Sequence, residues 1–426
     1  MHDVISQFFG FWRLFGAFWY LWAPVGLFFI FWEAWVGYVR GHFLSQIKTI
    51  LLEVTVPRDV AKSPKAMESI FAGIHGTTKN PDLVERFWKG FILPWFSFEI
   101  VGDAAGVHFY VWTHDTFRRM IESQIYAQYP SSEIREVEDY TKELPADVPN
   151  KDWTLWGTEM ILTKHDAFPI RTYDDFTLED ISAKEEDRKI DPLSSLVEFM
   201  GSLQPGERCW VQFLARPTGD WWKKEGELEI AKIIGREPKS KPNFLQRVFD
   251  LVISFFGFFL PSPAVTIPEK KDDFSLFKLT PGQQDVVKAV EKNMSKIGFE
   301  VGFRWMYLAR KDAFNPVGIS AMFGIFKQFA SQSLNGFKPH MKTIVKSGYW
   351  QYTPLKDRIE NRRRSRLYRA YRLRSFFAPP FNTVRPFVLS SSELATVYHF
   401  PGTVVAAPTM SRLDAKKGAA PPNLPF

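Results

Sequence analysis

The chain has 426 residues, of which 45% are hydrophobic and 24% charged, and its formal net charge is +7. This composition is typical of a globular protein and excludes a largely disordered chain, a collagen-like chain and a transporter built of many membrane helices. The one cysteine, Cys209, excludes a disulfide framework and a structural zinc site built from cysteines. Aromatic residues make up 16% of the chain and are concentrated in particular segments.

The N-terminal region contains a long uncharged apolar segment, residues 14–32. As a helix with a rise of about 1.5 Å per residue it would extend roughly 29 Å, enough to cross the hydrocarbon core of a bilayer. A cleaved signal peptide fits poorly, because no basic region precedes the segment and no small-residue cleavage site follows it. We therefore predict a membrane anchor over residues 1–48 with one transmembrane helix. The alternatives are a buried core helix and a two-pass hairpin that turns at Ala23-Pro24.

Basic residues on the two sides of this segment predict its orientation. Only Arg13 precedes it, whereas several basic residues follow it: Arg40, Lys48, Arg58, Lys62 and Lys65. Basic residues tend to remain on the cytoplasmic side of a membrane. We therefore expect a single-pass protein of the inner (cytoplasmic) membrane, with the C-terminal bulk of the chain in the cytoplasm.

Residues 49–145 have the pattern of a compact α+β domain. Alternation predicts a strand at residues 52–56, and helical spacing of apolar residues predicts a helix over residues 67–74. Alternation on both sides of Gly102-Asp103 predicts a hairpin. A helix at residues 115–129 and a short strand at residues 134–137 complete the order β-α-β-β-α-β, which is that of ferredoxin-like folds.

Residues 146–350 begin this order again around a long insertion, residues 218–279. Strands are predicted at residues 156–163, 210–214 and 299–308, and helices are predicted to begin at Asp191-Pro192, Thr280-Pro281 and Ile319. The predicted fold class is therefore α+β. It consists of an N-terminal transmembrane helix, two ferredoxin-like (βαββαβ) units of which the second has a long insertion, a basic helix within residues 351–400, and a Pro-rich tail.

The insertion contains a Phe-rich segment, residues 244–260, which is interrupted by Arg247 and Asp250. It is too short and too charged for a membrane span. The pattern fits either an amphipathic helix that lies on a membrane or a helix packed on the protein core or on a partner.

Sequence patterns of catalytic sites are missing. The chain has no phosphate-binding G-x-x-x-x-G-K-[ST] loop, no G-x-G-x-x-G, no G-x-S-x-G and no H-E-x-x-H. Its eight histidines have no metal-ligand spacing, and Cys209 beside Trp210 in a predicted strand is typical of a buried small hydrophobe. We predict that the protein is not an enzyme and binds no cofactor or metal.

Residues 356–374 are strongly basic. Nine basic residues are opposed only by Asp357 and Glu360, so this segment carries a net charge of +7, equal to that of the whole chain. Arginines on one helix face can bind phosphate groups with two hydrogen bonds each. The candidate contacts are Arg362, Arg363, Arg364, Arg366, Arg369, Arg372 and Arg374. Three partners are open: nucleic acid, anionic lipid, and acidic groups of this chain or of a partner subunit.

The tail, residues 401–426, is rich in Pro and Ala and is typical of a linker. Several short sequence segments of the chain resemble the membrane-anchored N-terminal region found ahead of type IV secretion/conjugation-type DNA-translocating ATPases of candidate-phyla bacteria. They are Phe98-Glu99-Ile100-Val101, Gln124-Ile125-Tyr126-Ala127-Gln128-Tyr129-Pro130, Glu136-Val137-Glu138-Asp139-Tyr140, Leu334-Asn335-Gly336-Phe337-Lys338-Pro339, Arg369-Ala370-Tyr371-Arg372, Glu393-Leu394-Ala395-Thr396 and Pro422-Asn423-Leu424-Pro425.

The resemblance implies a membrane anchor and accessory domains, and in that family an ATPase domain commonly follows the Pro-rich tail. Because this chain has no Walker motif, we do not expect it to hydrolyse ATP as those ATPase domains do. The resulting prediction is a membrane-anchored, non-catalytic subunit of a DNA-translocation assembly that organises a separately encoded ATPase. The alternative is a membrane-surface scaffold that binds anionic lipid or a protein partner and has no nucleic-acid role. A homo-oligomeric state is left open.

Overall fold

The computed structural model describes residues 18–57, 62–176, 191–235, 279–346, 354–382 and 384–401. The first half contains helix α1 (Trp19–Ser45), strand β1 (Thr49–Thr55), helices α2 (Lys65–His75) and α3 (Leu83–Phe87), strands β2 (Phe96–Asp103) and β3 (Gly106–His114), helix α4 (Arg118–Gln128) and strand β4 (Glu133–Glu136). All the strands and helices predicted in residues 49–145 occur in the predicted order, and the short helix α3 is an addition that was not predicted.

The second half begins with strand β5 (Trp153–Leu162), helix α5 (Ser194–Gly201) and strand β6 (Glu207–Pro217). Helices α6 (Trp221–Ile233) and α7 (Pro281–Met294) precede strand β7 (Gly298–Arg310), helix α8 (Val317–Lys327) and strand β8 (Phe337–Pro339). The chain then forms helix α9 (Lys356–Arg372), strand β9 (Phe387–Ser390) and helix α10 (Ser391–Val397).

One antiparallel sheet joins the two halves. Among the described residues it has nine strands in the order β4-β1-β3-β2-β6-β7-β5-β8, with β9 beside the first residues of β7. Strands β1–β4 and β5–β8 therefore have the same relative order. The halves meet where β2 pairs with β6, from Phe96 opposite Ala215 to Asp103 opposite Arg208. The predicted boundary at residues 145–146 lies between β4 and β5.

Helices cover both faces of the sheet. On one face Phe71 of α2 packs on Phe98 of β2, with ring centroids 5.1 Å apart. On the same face of the second half, Phe326 of α8 packs on Phe303 of β7 at 4.7 Å. Helix α9 covers the opposite face, where Tyr371 lies 5.2 Å from Trp210 of β6.

Local signals explain several helix boundaries. All four apolar residues at helical spacing in α2 are buried, as the periodicity predicted: Met67, Ile70, Phe71 and Ile74. Thr280 caps α7 by accepting a hydrogen bond from the Gln283 amide, and Pro281 occupies the first turn, as predicted. Helix α5 begins at Ser194 rather than at the predicted Asp191-Pro192, and the Asp191 carboxylate accepts a hydrogen bond from the Leu193 amide at 2.8 Å just before it.

The predicted N-terminal anchor coincides in part with α1, which is continuous from Trp19 to Ser45. The alternative, a hairpin that turns at Ala23-Pro24, is wrong, because Pro24 lies inside this helix. In the part of the chain that the structure describes, no helix combines the length and the apolar character needed to cross a membrane. The predicted transmembrane helix is therefore unsupported. Residues 14–17, the Phe-rich residues 244–260 and the tail beyond residue 401 lie outside the described residues.

Gly157 on β5 tests the close packing of α9 on the sheet. A Cβ at this position would lie 2.6 Å from the Trp305 carbonyl oxygen and 2.8 Å from Cδ2 of Leu367 on α9. We expect Gly157→Ala to lower the free energy of unfolding by about 1–3 kcal/mol, because the backbone oxygen cannot move away easily. Chemical denaturation followed by circular dichroism measures this change.

Gly324→Ala is the matched control, because Gly324 lies inside α8 and a Cβ there would meet no heavy atom within 4 Å. Alanine inside a helix is favoured over glycine by about 1 kcal/mol, so this variant is expected to be more stable than the wild type. Equal effects of the two substitutions would contradict the packing described for Gly157.

Candidate functional site

Helix α9, which carries most of the predicted contact arginines, is amphipathic. One side is buried against the sheet through Glu360, Leu367, Tyr368, Ala370 and Tyr371. The arginines therefore occupy three kinds of position: the buried C-terminal end, the two flanks of the helix, and the exposed side.

Arg374, just beyond the end of α9, is buried and bonded to two carboxylates. Its Nε and Nη2 atoms donate to the two carboxylate oxygens of Glu99 at 3.0 and 3.1 Å, and its guanidinium also pairs with Asp139. Only 2% of Arg374 is exposed, and Glu99 is fully buried. The prediction that Arg374 contacts phosphate is wrong, because its donors are already occupied inside the protein.

Electrostatic pairing keeps Arg374 and Asp139 ionised despite burial. Burial alone would lower the pKa of Arg374, but Glu99 and Asp139 raise it well above its ordinary value. Burial alone would raise the pKa of Asp139, but the hydrogen bonds from Arg374 lower it. The ion pair is therefore a charged structural element of the core.

Glu99 is one end of a row of buried polar side chains across the sheet. It lies opposite Gln212 of β6, Gln212 lies opposite Arg304 of β7, and Arg304 lies opposite Glu159 of β5. Gln212 donates to Glu99 at 2.8 Å, and Arg304 pairs with Glu159 at 3.2 Å. Among the described residues, Nε and Nη1 of Arg304 have no hydrogen-bond partner.

Four further arginines of α9 contact the protein itself. Arg363 donates to the Ile344 carbonyl oxygen at 3.0 Å, and Arg372 donates to the Ala146 carbonyl oxygen at 3.2 Å. Arg364 pairs with Glu360 one turn earlier at 3.3 Å, and Arg369 pairs with the exposed Asp147 at 3.1 Å. The acidic and carbonyl groups of the same chain are thus the partners of these four side chains.

Arg362 and Arg366 have a different environment. Both are exposed, and within the described residues neither makes a hydrogen bond or an ion pair. They line a cavity of about 350 Å³ between α9, the turn at residues 341–343 and the segment after α9. The complete lining is Glu159, Lys342, Thr343, Arg362, Arg363, Arg366, Leu367, Ala370 and Phe381.

Sequence reasoning missed the part of this cavity that lies outside α9. Lys342, Thr343 and Phe381 belong to short irregular segments with no recognisable pattern, and Glu159 lies inside a strand. Burial raises the pKa of Glu159, while the positive charges of Arg304 and Arg366 oppose that rise. The cavity therefore combines four basic side chains with one carboxylate that is already paired.

The histidines and the cysteine form no comparable cluster. His108 contacts Glu53 at 2.8 Å, and His399 contacts Asp191 at 3.0 Å. Within the described ranges, no group of three or more His, Cys, Asp and Glu side chains could hold a metal ion. Cys209 is buried, as the sequence predicted, and burial raises the pKa of its thiol.

The model of a family described as a domain of unknown function (DUF8128) matches residues 45–412. The chain belongs to the DUF8128 family. The matched region begins at the last residue of α1, so the DUF8128 domain contains the sheet, α9 and the cavity. A comparison with curated proteins found no match.

Arg374→Met tests the structural role of the buried ion pair in the DUF8128 domain. Removing the guanidinium leaves Glu99 and Asp139 without their cation, and we expect the free energy of unfolding to fall by about 3–5 kcal/mol. Urea denaturation followed by tryptophan fluorescence measures the loss. Adding Glu99→Gln to this variant removes one of the unpaired charges and is expected to recover part of the loss.

Arg369→Met is the control for this experiment. Arg369 pairs with Asp147 on the surface, where 60% and 78% of the two side chains are exposed. Such pairs contribute about 0–1 kcal/mol, so this substitution is expected to change stability little. A similarly small loss for Arg374→Met would show that the buried pair does not hold the C-terminal segment on the sheet.

Proposed function

We propose that the protein is a non-catalytic scaffold that is held at a membrane by α1 and organises a separate partner there. The observation that supports this proposal is the exposed aromatic surface of α1. The large apolar side chains exposed on it and at its N-terminal cap are Phe18, Trp19, Tyr20, Val25, Leu27, Phe28, Phe29, Ile30, Phe31 and Tyr38, each between 46% and 69% exposed.

These side chains do not form one stripe. Consecutive residues 27–31 are all exposed, so they point to every side of the helix. A helix that is apolar all round requires apolar surroundings on all sides, which in proteins means a core or a membrane. Trp and Tyr are enriched where a membrane meets water, and this composition favours lipid as the surrounding material.

Helix α1 is fixed to the rest of the protein at its second half. Trp35 donates its indole N–H to the Phe87 carbonyl oxygen at 3.1 Å, and its ring lies 5.6 Å from that of Trp88. Gly90 has φ +65°, and a Cβ there would lie 2.4 Å from the Val39 carbonyl oxygen. Membrane contact through the first half of α1 would therefore hold the whole domain at the membrane.

Helix α3 and the residues after it extend this surface. Leu83, Val84 and Trp88 are exposed by 52–73%, and the exposed basic residues Arg86 and Lys89 lie beside them in sequence. Aromatic and basic side chains next to each other suit the boundary between lipid tails and phosphate head groups. The inner membrane, with the sheet on the cytoplasmic side, remains our proposal for the location.

The scaffold itself is inferred to consist of two ferredoxin-like units. The support is the strand order, β4-β1-β3-β2 in the first half and β8-β5-β7-β6 in the second. The succession of elements is β-α-β-β-α-β in the first half apart from the short helix α3, and the second half departs from it by helices α6 and α7 between β6 and β7. The class of partner follows from the resemblance to the region ahead of translocating ATPases, and we propose a separately encoded ATPase. Because Arg374 is buried and four arginines of α9 contact their own chain, the geometry favours a scaffold role over a DNA-binding one.

Ile30→Glu tests the membrane contact. Ile30 is 67% exposed in α1, and placing a carboxylate among lipid tails costs on the order of 2–3 kcal/mol. We expect the wild type to float with phosphatidylcholine vesicles in a density gradient. We expect the bound fraction of the variant to fall by roughly tenfold or more, since about 1.4 kcal/mol corresponds to tenfold.

Val317→Glu is the matched control, because Val317 is 69% exposed on α8 in the other half of the sheet. It adds the same charge at a similarly exposed position and is expected to float like the wild type. A wild-type protein that stays at the bottom of the gradient, or an Ile30→Glu variant that still floats, would rule out lipid as the material around α1.

A further inference from the structure

The cavity beside α9 has the size and lining of a small-molecule site. Its volume of about 350 Å³ falls in the range of roughly 300–1,000 Å³ that is usual for ligand pockets. Basic side chains from two separate segments converge on it: Lys342 from the turn after β8, and Arg362, Arg363 and Arg366 from α9.

The donors of this cluster are largely free. Among the described residues, Lys342, Arg362 and Arg366 make no hydrogen bond or ion pair, and Arg363 uses only its Nη1 atom, on the Ile344 carbonyl oxygen. Like charges held close together repel one another, and an anion between them removes that repulsion. Arginine forks in particular bind phosphate oxygens with paired hydrogen bonds.

The carboxylate in the lining does not cancel this charge. Glu159 is 4% exposed and is already paired with Arg304 at 3.2 Å. Arg304 also has two N–H groups without partners among the described residues. The lining and the pair next to it therefore leave an excess of positive charge, which selects an anion.

Apart from Thr343, the rest of the lining is apolar. Phe381, Leu367 and Ala370 lie beside the basic cluster, and the guanidinium of Arg366 is 5.9 Å from the centre of the Phe381 ring. A free inorganic anion would contact only the basic cluster, whereas an organic phosphate would contact both the basic cluster and the apolar side of the cavity. An aromatic ring next to a guanidinium can also stack on a flat organic group.

We propose that this cavity binds a small organic phosphate monoester. The phosphate lies between Arg362, Arg366 and Lys342, and the organic part packs on Phe381. Two sources share this chemistry: a soluble ester such as a nucleoside monophosphate, and the head group of a lipid such as phosphatidic acid. The proposal goes beyond the scaffold function and does not depend on membrane contact through α1.

Titration calorimetry of the full chain with adenosine monophosphate and with inorganic phosphate tests the soluble source. The cavity variant is Arg362→Gln with Arg366→Gln. The control is Arg358→Gln with Arg369→Gln, which removes the same charge from exposed positions of the same helix that do not line the cavity. We expect the Kd for the monophosphate to rise by about tenfold or more in the cavity variant, as for the loss of charge-assisted hydrogen bonds, and to change little in the control.

Phe381→Ala separates the two parts of the site. It is expected to weaken binding of adenosine monophosphate and to leave binding of inorganic phosphate unchanged, because the ring contacts only the organic part. Equal weakening for both ligands would overturn the assigned position of the organic group.

Vesicles of phosphatidylcholine with and without phosphatidic acid test the lipid source. Additional flotation with phosphatidic acid that the cavity variant loses and the control keeps would support the lipid form of the proposal, even if soluble esters do not bind. Loss of flotation by Ile30→Glu with intact monophosphate binding would separate this site from the membrane contact.

Several results would overturn the proposal. One is binding of neither soluble ester nor phosphatidic acid. Another is equal weakening by the cavity and control variants, which would indicate diffuse charge attraction. A third is binding of duplex DNA alone with a steep salt dependence, which would indicate that α9 binds nucleic acid.

Discussion

A buried carboxylate at the join between the two halves of the sheet constrains the rest of the structure. Glu99 lies in the middle of β2, the strand that pairs with β6 across the join. A buried carboxylate is tolerated only when a cation and further hydrogen bonds compensate for the loss of water. Arg374, 275 positions later in the chain, supplies that cation. The C-terminal segment is therefore part of the core that the first half of the sheet requires.

Covering this polar row determines the position of α9. Two glycines of the sheet, Gly157 and Gly302, lie under α9 and the segment after it. A Cβ at Gly302 would lie 2.5 Å from the ring of Phe376. These two gaps allow the helix and the segment after it to lie close to the sheet. One side of α9 is packed on the core, and four of its arginines contact nearby carbonyls and carboxylates. At the cavity, Arg362 and Arg366 keep their guanidinium groups without hydrogen-bond or ion-pair partners among the described residues.

Local sequence patterns were sufficient to predict most of the sheet but not to predict the site. Alternation and helical spacing correctly predicted the β-α-β-β-α-β order of the first half and the helix at Pro281, because both depend on neighbours in sequence. Strand β9 and helix α10 were missed, because a run of serines resembles a loop. Glu99 alternates with Phe98 and Ile100, which is also the pattern of a strand with one exposed face. Its burial depends on a helix more than 250 positions away and has no local signal.

The net charge of residues 356–374 overstates the charge that an external partner can meet. The sequence assigns this segment all of the chain's excess of +7, but Arg374 is neutralised in the core and Arg364 and Arg369 are paired with acidic side chains. Charge counted along a sequence becomes charge available for binding only after the internal pairs are subtracted. Part of what is left lies at the cavity, where Lys342 joins Arg362 and Arg366. A concave cluster of this kind discriminates by shape as well as by charge, and therefore suits a single phosphate group better than an extended polyanion.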